Sequence, residues 1–144
     1  VTRAYSAFNH MKQNLPKNID WCQKPYGTFA ENIDAGIKND FEKGFVNRGL
    51  YINQIESLLK YYPRDQLHII ISEHMREDMQ GTYDKLFDFL GVKRVKLNFE
   101  KNIHKRKYKE PMKKETEKML YELYKPYNER LFKFLGYEIK EWEH

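Results

Sequence analysis

Arg3 and Ser6 stand three residues apart at the start of a helical pattern, and Lys105, Arg106, Lys107 and Tyr108 form a basic run far downstream. A serine hydroxyl near a helix start can donate to an anion beside the free backbone amides, and a guanidinium adds a fork of N–H groups. In the second cluster an arginine with nearby amides can hold a phosphate-like group bidentately, and a tyrosine can pack on or bond the rest of the ligand. These residue types grip an anion. One by one, they equally describe a surface arginine, a helix serine and a solvated basic loop.

Other chemistries find less support. His10, His68, His74, His104 and His144 show no metal-ligand spacing, and Cys22 is the single cysteine. An internal disulfide and a Cys-based zinc site are therefore excluded, and no metal is expected. Cys22, beside Trp21, reads as an ordinary half-buried thiol. The net charge is +5, much of it between Lys93 and Lys114, which favours an anionic partner: nucleotide phosphates, a sulfated sugar, nucleic acid or an acidic membrane face. No apolar run approaches the roughly 20 residues of a membrane helix, so no membrane span is expected. With no targeting segment and one cysteine, the expectation is a cytoplasmic protein. The chain of 144 residues has no initiator Met and begins inside a helical pattern, as expected of one partial domain covering residues 1–144.

The elements that must position these residues follow from periodicity. Val1, Ala4, Tyr5, Phe8 and Met11 share one helical stripe. Pro16 and Pro25-Tyr-Gly27 break the chain, and Thr28-Phe-Ala-Glu31 is a capping box opening a helix with Phe29, Ile33, Ile37 and Phe41, ending near Lys43-Gly44. Tyr51, Ile52, Ile55, Leu58, Leu59 and Tyr62 predict the buried face of the next helix. After Pro63-Arg-Asp65, Leu67-His-Ile-Ile-Ile71 predicts a strand buried on both faces, as in a parallel sheet. A helix through Thr82–Leu90 follows, with Gly91 suited to its C′ position. Residues 92–111 read as extended or looped, and two closing helices are expected on either side of Pro126, the second stopping at Gly136. The strand needs neighbours; either Val95–Phe99 pairs with it or the rest of the sheet lies upstream, and the second reading is preferred.

The order of these motifs resembles the C-terminal half of a sulfotransferase of the heparan sulfate, carbohydrate and bacterial type. Val1-Thr-Arg-Ala-Tyr-Ser6 resembles the end of that family's Arg-x-Pro-x-x-Arg-x-x-Ser pattern, and Asn102–Pro111 resembles its Lys-Gly-Arg-Lys-Tyr-Pro loop, with Lys105 in place of the Gly. Gly49-x-Tyr51, Tyr62-Pro63, the strand ending in Glu73-x-Met75, Phe89-Leu-Gly91 and Tyr124-x-Pro-x-Asn128 continue the resemblance. It implies an α/β fold: a parallel sheet with flanking helices of the P-loop nucleoside triphosphate hydrolase type, this segment mostly helical with one core strand. It further implies transfer of a sulfuryl group from 3′-phosphoadenosine 5′-phosphosulfate to a hydroxyl or amine acceptor, a carbohydrate above all, leaving adenosine 3′,5′-bisphosphate. Arg3, Ser6, Lys105, Arg106, Lys107 and Tyr108 are the implied nucleotide-binding residues, and Lys24, Tyr26, Arg48 and Tyr51 face the acceptor.

No catalytic residue is assigned, because Gly27, Gly36, Gly44 and Gly49 are scattered and none leads a Gly-Lys-Thr run. The family's phosphosulfate loop and base are expected upstream of Val1, and this segment alone is expected to be inactive. Two other readings stand beside this one: a basic helical module binding nucleic acid without chemistry, and a degenerate relative acting through protein contacts. Against the first, most aromatics fall at core spacing, so no nucleic-acid partner is expected.

Overall fold

The computed structural model describes residues 1–14, 27–38, 45–99 and 110–142, in two units: Val1–Glu56 with Tyr108–His144, and Ser57–Lys107. Among the described residues all regular structure is helical. The α-helices are α1 (Thr2–Asn14), α2 (Phe29–Lys38), α3 (Tyr51–Leu59), α4 (Ser72–Glu77), α5 (Met79–Leu90) and α6 (Lys114–Leu135), with 3-10 turns at Asn47–Gly49, Arg64–Gln66 and Lys140–Trp142.

In the first unit the stripes close on one another. Ala4 and Phe8 of α1, Phe29 and Ile33 of α2, Val46, Leu50, and Leu120 and Tyr124 of α6 form a single buried cluster. Each fully buried large apolar side chain contributes about 1.5–3 kcal/mol, so four such elements hold together without disulfides. The aromatic content enters through edge and tilted contacts: Phe8 lies 5.2 Å from Phe29 and 5.8 Å from Phe45, and Tyr5 lies 5.1 Å from Phe29. The expected capping box starts α2. The Thr28 amide donates to Glu31 Oε2 at 2.6 Å, and the Glu31 amide donates to Thr28 Oγ1 at 3.3 Å. The Thr28 amide first, and second the Thr28 hydroxyl, which donates to Glu31 Oε2 at 3.0 Å, hold the Glu31 carboxyl below its ordinary range.

Two sequence expectations are corrected, and a third, the strand, is not shown. The closing segment is one helix, with Pro126 inside α6 rather than starting a new one. Packing on both sides of the proline, through Tyr124 and Leu131, outweighs its missing amide donor. The predicted apolar face of the third helix is only partly buried: Ile52 is 2% exposed, whereas Leu58 is 45% and Tyr62, beyond the helix end, is 52% exposed. Periodicity sets which residues share a face, and what packs on that face sets its burial. Leu67–Ile71 is extended at both ends, with φ −112°, ψ 113° at Leu67 and φ −85°, ψ 120° at Ile71. It is not a strand among the described residues, because a strand requires a hydrogen-bonded neighbour and none of them supplies one. Phe41 and the expected end of α2 near Lys43-Gly44 lie outside the described residues.

The second unit is built around α5. Asp78 Oδ1 accepts from the Gly81 amide at 2.8 Å and caps the helix start, and Gly91 ends it with φ 67°, as its sequence position predicted. Side chains of α5 hold the segment that follows. Gln80 donates to the Val95 carbonyl and accepts from the Leu97 amide, both at 3.0 Å, doing what a neighbouring strand would do. Arg94 pairs with Asp88, and its hydrogen bond draws that carboxyl below its ordinary range.

Candidate functional site

Three residues that the sequence singled out meet at the start of α3. Arg3 is carried by the first turn of α1, Arg48 by the 3-10 turn, and Tyr51 opens α3. One terminal nitrogen of Arg3 donates to the Arg48 carbonyl at 3.0 Å and to the Tyr51 hydroxyl at 3.1 Å. The Arg3 guanidinium also lies 5.7 Å from the centroid of the Tyr51 ring. Gln54 donates to the carbonyls of Asn47 and Arg48, both at 3.3 Å, which fixes the turn itself.

The ground beneath this group is Tyr124 of α6. Its ring is 4% exposed and its hydroxyl donates to the Val46 carbonyl at 3.0 Å. Burial first, and Tyr51 second, push its phenol far above the ordinary range, while Arg3 pulls the other way. Tyr124 is therefore a neutral donor at any working pH. Gly49 lies so close that an added Cβ would meet the Tyr124 hydroxyl oxygen at 2.6 Å. That is the physical reason for glycine between Arg48 and Tyr51.

Trp142 completes the group, and sequence reasoning passed over it. Its ring lies 5.6 Å from Tyr51 at 31° and 6.4 Å from Phe132. No spacing rule links position 142 to position 51; only a long-range contact reveals it. Arg130 of α6 anchors α3 from outside, both carboxylate oxygens of Glu56 lying 2.5 Å from one of its nitrogens.

Ser6 is half-buried on α1, one turn after Arg3, and its hydroxyl has no hydrogen-bond partner among the described residues. Lys24, Tyr26, Lys105, Arg106, Lys107 and Tyr108 lie outside the described residues. Of the expected site the structure thus brings together Arg3, Arg48 and Tyr51, with Ser6 on the same helix as Arg3. Glu73 accepts from the Ser72 hydroxyl at 2.8 Å. No group of three or more His, Cys, Asp or Glu among the described residues could hold a metal ion.

Comparison with known proteins adds a family. The family model described as "Sulfotransferase domain" matches residues 1–130. Membrane-associated sulfotransferase kil1 of Dictyostelium discoideum is 27% identical over 100 residues, covering 69% of this chain and 21% of that protein. Heparan sulfate glucosamine 3-O-sulfotransferase 3B1 of Mus musculus is 33% identical over 95 residues, 66% of this chain and 23% of that protein. Carbohydrate sulfotransferase 15 of Nototodarus sloanii is 32% identical over 95 residues, 59% of this chain and 60% of that protein. No solved structure matches. The chain spans 21% and 23% of the first two of these relatives, under a quarter of each. The expected cytoplasmic location is overturned, since the first relative is membrane-associated by name. One cysteine and no long apolar run carry no compartment signal. No helix of the described residues is long and apolar enough to cross a membrane.

Proposed function

We propose, since this chain belongs to the sulfotransferase domain family, that it takes part in moving a sulfuryl group from 3′-phosphoadenosine 5′-phosphosulfate to a hydroxyl or amine of a carbohydrate. The observation that carries this reading is the family match over residues 1–130, which includes both the Arg3–Ser6 motif and the basic run. The heparan sulfate and carbohydrate names among the relatives support a sugar as acceptor.

In the reaction the acceptor oxygen or nitrogen forms a bond to sulfur as the bond from sulfur to the bridging phosphate oxygen breaks. The acceptor's proton passes to a base, and adenosine 3′,5′-bisphosphate leaves with the bonding pair. Ser6, near the start of α1, donates its hydroxyl to the 3′-phosphate. Lys105, Arg106, Lys107 and Tyr108 supply the charge and the phenol that close over the same nucleotide. Their task is binding and orientation, which keeps the reacting atoms in line. No residue of this chain is assigned as the base. The extended Leu67–Ile71 segment belongs, in this reading, to a parallel sheet of the P-loop nucleoside triphosphate hydrolase type, and residues 1–144 to one sulfotransferase domain.

The test is calorimetric titration of the chain with adenosine 3′,5′-bisphosphate, 5′-adenosine monophosphate and a random oligonucleotide, with circular dichroism confirming a folded sample. Binding that depends on the 3′-phosphate and weakens about tenfold or more in Ser6→Ala and Arg106→Ala is the expected result. A folded chain that ignores the bisphosphate refutes it. Equal, steeply salt-dependent binding of any oligonucleotide replaces it with a nucleic-acid module.

A further inference from the structure

We infer that Arg3 and Tyr5 are positioning residues for the donor nucleotide: they pin the start of α1 from two sides and so set where the Ser6 hydroxyl stands. The inference rests on the sulfotransferase reading and deepens its nucleotide side. It takes Arg3 out of the nucleotide ligands among which the sequence places it. Tyr5, one of the apolar stripe of α1, gains a second task.

Arg3 and Ser6 are i, i+3 neighbours and share a face of α1, and Tyr5 directly precedes Ser6. From this one turn two side chains reach distant parts of the same unit. One terminal nitrogen of Arg3 donates to the Arg48 carbonyl at 3.0 Å and to the Tyr51 hydroxyl at 3.1 Å, which uses both of its protons. The Tyr5 hydroxyl donates to the Glu110 carbonyl at 2.7 Å, and its ring meets Phe29 edge-on at 5.1 Å. The first tether ends 45 residues along the chain and the second 105.

The anchor of the first tether is itself fixed. Gln54 donates to the same Arg48 carbonyl, Gly49 is pressed on Tyr124, and the Tyr124 hydroxyl holds the Val46 carbonyl. A path of directed contacts therefore runs from the buried phenol of α6 to the first turn of α1.

Apolar burial alone would not do this. Ala4 and Phe8 set how deep α1 lies, but burial has no direction and leaves a helix free to slide or turn slightly. Hydrogen bonds depend on distance and angle, so two of them on opposite errands remove those freedoms. Ser6 needs that help. Its hydroxyl sits on a one-carbon stem, and a misplacement of about 1 Å takes it out of productive geometry. Arg3 is the opposite case, a long side chain able to follow an anion unaided. Here its end is tied to a carbonyl and a phenol, with the guanidinium carbon 5.7 Å from the Tyr51 ring centroid. That guanidinium is committed to the scaffold.

The experiment titrates adenosine 3′,5′-bisphosphate and 5′-adenosine monophosphate into wild type, Tyr5→Phe, Tyr51→Phe and Arg3→Lys, each also in a Ser6→Ala background. Circular dichroism melting accompanies every sample. Tyr51→Phe takes an acceptor from Arg3 without changing any charge, and Tyr5→Phe removes a single hydroxyl. Bisphosphate affinity is expected to fall about two- to tenfold in each of the three variants, with monophosphate affinity unchanged. The loss should vanish in the Ser6→Ala background, because Ser6 is the group being positioned. A merely structural role would weaken both nucleotides alike, and that result overturns the inference. An unchanged preference for the bisphosphate in folded Tyr5→Phe or Tyr51→Phe overturns it too. So does a loss in Arg3→Lys that persists in full without the Ser6 hydroxyl, since it would make Arg3 a direct ligand. If Arg3→Lys does not fold, the two Tyr→Phe variants decide alone. A folded wild type that ignores the bisphosphate overturns the inference together with the sulfotransferase reading, whereas a binding wild type with indifferent variants overturns the inference only.

Discussion

Replacing Gly49 with alanine is expected to destabilise the first unit and loosen the Arg3–Arg48–Tyr51 group. An added Cβ would stand 2.6 Å from the Tyr124 hydroxyl oxygen and 2.8 Å from two of its ring carbons. Comfortable carbon contacts lie near about 3.5–4.0 Å, so something must move. Tyr124 has little room to do so: its ring is 4% exposed, and its hydroxyl is tied to the Val46 carbonyl at 3.0 Å. Overpacking of this kind costs about 1–3 kcal/mol. If the ring withdraws, the buried hydrogen bond is lost as well, for about 1–3 kcal/mol more. The sum, about 2–6 kcal/mol, lowers the midpoint of thermal unfolding by on the order of 5–20 °C. Urea denaturation followed by circular dichroism measures it in the wild type, Gly49→Ala, Tyr124→Phe and the double variant. Tyr124→Phe removes the oxygen that makes the shortest contact, so the double variant should be less destabilised than the sum of the singles by about 0.5–3 kcal/mol. A Gly49→Ala protein within about 0.5 kcal/mol of wild type, or strict additivity, refutes the reasoning.

Pro126→Ala is expected to stabilise the chain by about 1–3 kcal/mol, because the proline lies inside α6 and denies a helical hydrogen bond there. A denaturation midpoint that stays put or falls would contradict this. Glu31 has a depressed carboxyl, so its bonds to Thr28 contribute fully above the ordinary value of 4.5 and fade as pH falls through the lower folded value. Acid unfolding of Glu31→Gln should lack that contribution, and titration of Glu31 at or above 4.5 in the folded chain would remove the premise.

Local chemistry was legible wherever one segment contains both partners. Thr28 and Glu31 lie one turn apart and formed their box; Gly91 and Gly136 end their helices with φ 67° and 79°. The stripe of α1 put Ala4 and Phe8 in the core because an amphipathic face has to be covered by something. The order of motifs along the chain was enough to reach the family. Rules for single residues failed where packing competes with them. Pro126 reads as a boundary, yet Tyr124 and Leu131 hold the helix continuous through it.

What lay beyond the sequence is pairing at long range. Nothing in the letters joins Arg3 to Arg48 and Tyr51, sets Trp142 against Tyr51, or presses Tyr124 on Gly49. Residue types and periodicity decide what a side chain can do and which face it shares. Only the closing of α1, α2, Val46, Leu50 and α6 around one core decides which donor meets which acceptor, because those distances depend on every packed element at once.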